Sequence, residues 1–134
     1  MLSILRSVIV FAAVALPAVA HASCTQADLK GVWESYGLGV TSKGGSWLHC
    51  TFKVDGAGAI TNTSCDQSGG VTKKLTGGLV TMANGTTCGF RGHFRLNGDL
   101  NNILFATLSS GGDTASGVGS AQPSGEFQFT MVKR

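Results

Sequence analysis

Strict alternation of apolar and polar side chains marks three stretches of this chain. Over residues 48–54, Leu48, Cys50, Phe52 and Val54 share one parity, and His49, Thr51 and Lys53 share the other. Over 88–96, Cys88, Phe90, Phe94 and Leu96 stand against Arg91, His93 and Arg95. Over 126–132, Phe127, Phe129 and Met131 alternate with Gln128 and Thr130. A period of two marks a strand with one buried face, because successive strand side chains point to opposite sides. The pattern predicts the aromatic rows inside and the His- and Arg-bearing rows outside. Phe105 joins Phe52, Phe90, Phe94, Phe127, Phe129 and Trp33 in the expected core.

Turn formers interrupt the chain at short, even intervals, at 41–45, 55–58, 66–70, Asn84-Gly85, 97–99, 111–113 and 123–125. Asn-Gly and Asp-Gly favour tight hairpins because these residues tolerate positive φ. The seven breaks leave eight segments. Those near 31–40, 59–65, 71–83, 101–108 and 114–121 alternate less cleanly, and Gly77-Gly78 is a place where the fourth could divide in two. A helical turn is expected only near 25–29, with Thr25 as its cap. Eight short strands joined by hairpins predict an all-β fold, an antiparallel up-and-down β-barrel whose closure removes exposed edges. The interior of a barrel this size is nearly filled by side chains or holds one small ligand.

Residues 1–22 read differently. One positive charge, Arg6, precedes the apolar run SVIVFAAVALPAVA at 7–20, and Ala20-His21-Ala22 supplies the small residues of a cleavage site. This is the form of a signal peptide. The run is short against the ~20 apolar residues of a membrane span. The expectation is a single domain over 23–134, secreted or periplasmic, with no membrane insertion after cleavage. Without Arg6, nine Lys and Arg face seven Asp and Glu, a net charge of +2. So slight an excess, with no clustered basic patch, speaks against a nucleic-acid partner.

All four cysteines, Cys24, Cys50, Cys65 and Cys88, fall after residue 22. An even number in a small exported domain reads as two disulfides. No C-x-x-C or H-x-x-x-H clip suggests zinc. In a simple eight-strand order, Cys50 and Cys65 lie on the two arms of one hairpin. Cys24, ahead of the first strand, reaches the same barrel end as Cys88. The expected pairs are therefore Cys24–Cys88 and Cys50–Cys65. An extra turn at Gly77-Gly78 would favour Cys24–Cys50 with Cys65–Cys88 instead.

Leu29-Lys30-Gly31-Val32-Trp33 puts Gly-x-Trp on the first strand after a short capped turn. This resembles the start of lipocalin-like (calycin) barrels, and the resemblance implies that Trp33 packs across the closed end. The stretch 52–61, with Asp55-Gly56-Ala57-Gly58, looks like the D-G-x-G hairpin of small exported bacterial β proteins. Gly31, Trp33 and Cys50 also match the outline of bacterial periplasmic inhibitors of secreted metalloproteases. Avidins share the early Gly-x-Trp, but their biotin-contacting pattern is not recognisable here.

Candidate chemistry is sparse. His49 and His93, both on outward parity, are the histidines of the mature chain. Either could serve as a general base or join an acid at a metal, and either could be a plain surface residue. There is no Gly-x-Ser-x-Gly elbow, and oxidised cysteines offer no thiolate. Asp55, Asp66, Asp99 and Asp113 sit in turns, where backbone capping accounts for them. Lys73, Lys74, Arg91, His93 and Arg95 are expected to share one positive outer face if the fourth and fifth strands pair, either a solvated face or a contact, through Arg91, His93 and Arg95, for anionic polysaccharide, lipid headgroups or an acidic partner. Trp47 is either an exposed contact for a ligand or partner or a cap on the barrel end. Tyr36 is placed with Trp33 at the barrel end and wall, and is a further candidate contact. Two N-x-S/T sequons begin at Asn62 and Asn84.

The sequence therefore predicts a non-enzymatic exported barrel, without a cofactor or metal, that binds a small apolar ligand or a protein partner. One alternative is a periplasmic protease inhibitor acting through residues 23–28. Another is an enzyme with its site at the barrel mouth.

Overall fold

The computed structural model describes residues 23–61, 63–83 and 87–134. The expected signal peptide, the Asn84-Gly85 turn, and the sequon asparagines Asn62 and Asn84 lie outside these residues.

A 3-10 turn, Gln26–Leu29, precedes nine strands. These are β1 (Gly31–Thr41), β2 (Gly44–Val54), β3 (Ala59–Ile60), β4 (Thr63–Gln67), β5 (Val71–Met82), β6 (Gly89–Leu96), β7 (Asp99–Leu108), β8 (Thr114–Ala121) and β9 (Glu126–Lys133). Both β3 and β4 pair with β2 on one side and β5 on the other, so together they form one stave. Every neighbouring pair is antiparallel, and β9 pairs back onto β1 from Trp33↔Lys133 to Val40↔Glu126. The result is a closed, eight-stave, up-and-down β-barrel, compatible with a lipocalin-like barrel. Gly77-Gly78 does not split β5. The pairing with β6 shifts register between Leu75 and Gly78 instead, a β-bulge that keeps one strand continuous through a bend.

Both disulfides form as the simple strand order requires. Cys24 joins Cys88 and Cys50 joins Cys65, at Cα separations of 4.9 and 4.2 Å. Cys50 and Cys65 are directly opposed across β2 and β4.

One end of the barrel is plugged. Leu29 and Trp33 are completely buried, and the Trp33 indole N–H donates to the Leu29 carbonyl at 2.8 Å. The Gln26 amide acts as a surrogate strand partner for β5. Its Nε2 donates to the Val80 carbonyl at 3.0 Å, and its Oε1 accepts from the Met82 N–H at 2.8 Å. Lys133 Nζ donates to the Asp28 carbonyl at 2.6 Å and lies 4.9 Å from the Trp33 ring centroid. At the start of the turn, the Asp28 carboxylate accepts from the Thr25 N–H and hydroxyl at 2.6 and 2.9 Å. Since Cys24 is bonded to Cys88, the whole N-terminal turn is fastened across this end.

The parity expectation holds for Phe90, Phe129 and Met131, which are buried, and for Phe52, Phe94 and Phe127, which pack against the core from partly exposed positions. It fails for Phe105, which is 54% exposed. Pairing of β7 with both neighbours shifts register beside Leu104. That extra residue puts Leu104 and Phe105 together on the outer face, between buried Ile103 and buried Ala106. Tyr36 is also outside, not in the barrel end, and is 56% exposed.

Candidate functional site

A hollow barrel and its mouth form the candidate site. The interior above the Trp33 plug holds a cavity of about 350 Å³. Its inner wall carries Phe52, Phe90, Phe94, Phe127, Phe129 and Met131. Toward the end opposite the plug, the lining turns polar, with Thr41, Ser46, Gln67, Lys73 and Asp99. Asn101 is a buried polar residue in this lining, and its Nδ2 donates to the Asp99 carbonyl at 3.0 Å.

Glycines create the hollow. Phe129 lies between Gly37 of β1 and Gly117 of β8, and Phe127 between Gly39 of β1 and Gly119 of β8. Both rings lean one way. A Cβ at Gly119 would overlap the Phe127 ring, and one at Gly117 would stand 2.8 Å from the Phe129 ring. On the β1 side, a Cβ at Gly37 or Gly39 would meet nothing closer than 3.5 Å or 3.7 Å. The β8 glycines are thus covered by aromatic rings, while the β1 glycines leave space. Phe94 meets Phe127 edge-on at 5.8 Å, and Phe127 meets Phe129 at 6.1 Å, within the range of favourable aromatic pairs.

The structure divides the expected positive face. Arg91, His93 and Arg95 are outside on β6, and Lys74 is outside on β5, but Lys73 turns into the mouth. Lys73 shares the parity of buried Leu75, and a single step along a strand reverses direction. At the adjacent turn, Arg95 Nη1 donates to the Gly98 carbonyl at 2.9 Å.

His49 and His93 face outward, as their parity requires. His49 Nε2 lies 2.9 Å from Glu34 Oε1, and its ring stacks on Tyr36 at 4.6 Å between centroids. Arg134 Nη2 reaches the other Glu34 oxygen at 2.9 Å. Hydrogen bonding from His49, and then from Arg134, holds the Glu34 carboxyl below its ordinary pKa; its acceptance of the Tyr36 hydroxyl raises that phenol. This cluster is on the outer wall, far from the mouth lining. Among the described residues, no group of three or more His, Cys, Asp or Glu could hold a metal.

Trp47 is exposed on the outer wall and does not cap the barrel end. It belongs to a row that sequence parity did not reveal. Trp47 opposes Leu38, Leu38 opposes Gln128, Gln128 opposes Val118, and Val118 opposes Phe105. The four large apolar members are each between 46% and 57% exposed. The signal lay in outward positions of β1 that are apolar, Leu38 and Val40, but the β7 bulge that completes the row leaves no mark in composition.

No helix among the described residues is long and apolar enough to cross a membrane. No family model matches the chain, and no match was found among curated proteins.

Proposed function

We propose that this protein is an exported, non-enzymatic barrel that binds a small apolar ligand in its interior. The observation that carries the reading is the 350 Å³ cavity lined by aromatic side chains and open at one end. Ligand sites are characteristically concave, largely apolar and furnished with a few polar groups. An apolar cavity of about 150 Å³ suffices for benzene, so this interior suits a molecule about twice that size. Export is supported by the leader-like residues 1–22 and the two disulfides, which persist in oxidising compartments. The likeness to lipocalin-like barrels points the same way.

Two observations weigh against the alternatives. A protease inhibitor acting through residues 23–28 needs a free arm, whereas Cys24 is bonded to Cys88 and Gln26 to β5. An enzyme at the mouth needs its acid–base pair there, whereas Glu34 and His49 pair on the outer wall.

The test is titration of the purified mature protein with the neutral fluorophore N-phenyl-1-naphthylamine. One-to-one binding is expected, and loss of binding in Gly39→Leu, whose side chain would enter the cavity. Absence of binding, or equal binding by that variant, would overturn the reading.

The outer row favours a second reading, contact with a protein partner, and we commit it to a second copy of this chain. None of Trp47, Leu38, Gln128, Val118 and Phe105 is charged, so two such rows meet without like-charge repulsion. Closed symmetric pairs of this kind bury the same patch on both subunits. Sedimentation of the wild type should show a dimer that Trp47→Ser with Phe105→Ser converts to monomer. A wild type that stays monomeric at high concentration would exclude it.

A further inference from the structure

We infer that the mouth selects amphiphiles with an anionic head, held at Lys73 while the tail occupies the aromatic interior. The inference rests on the cavity reading and specifies its ligand class.

Lys73 is the observation that calls for explanation. It stands on the inward parity of β5, directly opposite Cys65 on β4 and two residues before Leu75 in the wall. An ordinary strand lysine faces water, as Lys74 does beside it. Lys73 is half-buried in the mouth lining, and no ion pair or hydrogen bond ties it to a described residue. A lysine placed so lays its methylene stem along apolar wall and presents its ammonium at the rim. With no carboxylate partner of its own, that ammonium is available to a ligand.

The neighbouring rim fits the same head. Lys43, on the β1–β2 turn, and Gln67, at the end of β4, line the mouth on the Lys73 side, with the hydroxyls of Thr41 and Ser46. Lys43, Gln67 and Ser46 can donate hydrogen bonds to a carboxylate or phosphate oxygen, whereas the Thr41 hydroxyl already donates to the Gly44 carbonyl. Among the described residues, two acids line the rim: Asp99, at the start of β7 with β6 between it and β5, and Glu126, at the start of β9 opposite Val40 of β1. The mouth therefore carries Lys43 and Lys73 on its β1, β2, β4 and β5 side, and Asp99 and Glu126 on its β7 and β9 side. The free volume over Gly37 and Gly39 belongs to β1, so a tail lying there emerges between β2, on the Lys73 side, and Glu126 of β9, and an anionic head is drawn toward the lysines. Burial of the tail supplies most of the affinity, and the ammonium discriminates among heads.

Calorimetric titration with octanoate, octan-1-ol and octylamine tests this, since the three share one tail. Octan-1-ol is expected to bind. Octanoate should bind about threefold to tenfold tighter, as one partly screened charge contact allows, and octylamine more weakly than the alcohol. Lys73→Met should erase the octanoate advantage and leave octan-1-ol binding in place. Asp99→Asn should increase the octanoate advantage. Added salt should shrink the wild-type preference. If octan-1-ol binds and octanoate binds no better, the headgroup inference is overturned and the cavity reading stands. If none of the three binds, both fall. Should Lys73→Met fail to fold, Lys73→Gln, which keeps a polar end without charge, must show the same lost preference.

Discussion

Trp33 donates its indole N–H to the carbonyl of Leu29, four residues earlier, at 2.8 Å, and both side chains are fully buried. The barrel floor and the turn that covers it are therefore one hydrogen-bonded unit. Trp33→Phe keeps the ring but leaves that buried carbonyl without its donor. An unsatisfied buried acceptor costs about 1–3 kcal/mol, and the smaller ring adds a void. Urea unfolding should show a loss of at least about 2 kcal/mol. A loss within error would mean that the plug does not stabilise the barrel.

Glycines on the two staves that flank β9 should respond oppositely to the same change. Gly119→Ala drives a methyl into the Phe127 ring and the Asn102 carbonyl. Overpacking of this kind costs about 1–3 kcal/mol. Gly37→Ala meets only ordinary contacts at 3.5 Å and beyond. Removing glycine from a strand at a compatible backbone angle should stabilise by about 0.5 kcal/mol. Thermal melts of the two single variants compare them directly, and equal effects would contradict the lean of the rings.

Phe94 and Phe105 differ in the same way. Phe94→Ala opens the aromatic wall and should cost about 3 kcal/mol, near the lower end for buried aromatics. Phe105→Ala should change stability by less than about 1 kcal/mol, because its ring is already in water. Denaturant midpoints of both variants check the bulge in β7.

How the two disulfides rank follows from the chain they enclose. Cys24–Cys88 spans 64 residues and Cys50–Cys65 spans 15. Constraint of the unfolded chain gives about 4 kcal/mol for the longer loop and about 3 kcal/mol for the shorter. Paired Cys→Ser variants should therefore lose more stability at Cys24 and Cys88. The reverse order in chemical denaturation would show that strand-to-strand bonding at Cys50 and Cys65 matters more than loop length.

Acid should weaken the outer-wall cluster. The folded-state pKa of Glu34 lies below its ordinary value because His49 and Arg134 hydrogen-bond the carboxylate. A depressed carboxylate stabilises the fold above its unfolded pKa, and this contribution disappears as pH falls through the folded pKa. Asp28 and Asp113 are lowered too, by hydrogen bonds from Thr25 and Ser109. Wild-type stability should decline below the ordinary carboxylate range, and Glu34→Gln should make that decline shallower. Unfolding at a series of pH values measures both slopes, and parallel curves would remove Glu34 from the account.

Where the chain alternates cleanly, its sequence was a sound guide. The inward rows of β2, β6 and β9, the hairpin placing Cys50 opposite Cys65, and the reach of Cys24 to Cys88 all follow from period two and turn chemistry. The misplacement of Phe105 has a specific physical source. Parity propagates along a strand only while each residue has one partner, and the extra residue at Leu104 breaks that rule, carrying Phe105 outside. Lys73 was misassigned for a different reason: charge suggested water, while its phase with Leu75 set it inward. The cavity was legible only as an allowance of the strand number. Its volume depends on which way Phe127 and Phe129 lean, and a glycine in the sequence does not say whether a ring covers it.

The two pairs of glycines also bear on how much space this barrel can enclose. Part of the bore is open because Gly37 and Gly39 carry no side chains, while the hydrogen-bonded wall around them is unbroken. Each methyl or isopropyl added there narrows the bore by a fixed step while every stave keeps its neighbours. Capacity is thus uncoupled from architecture, and a family of barrels of graded calibre lies one or two substitutions from this chain.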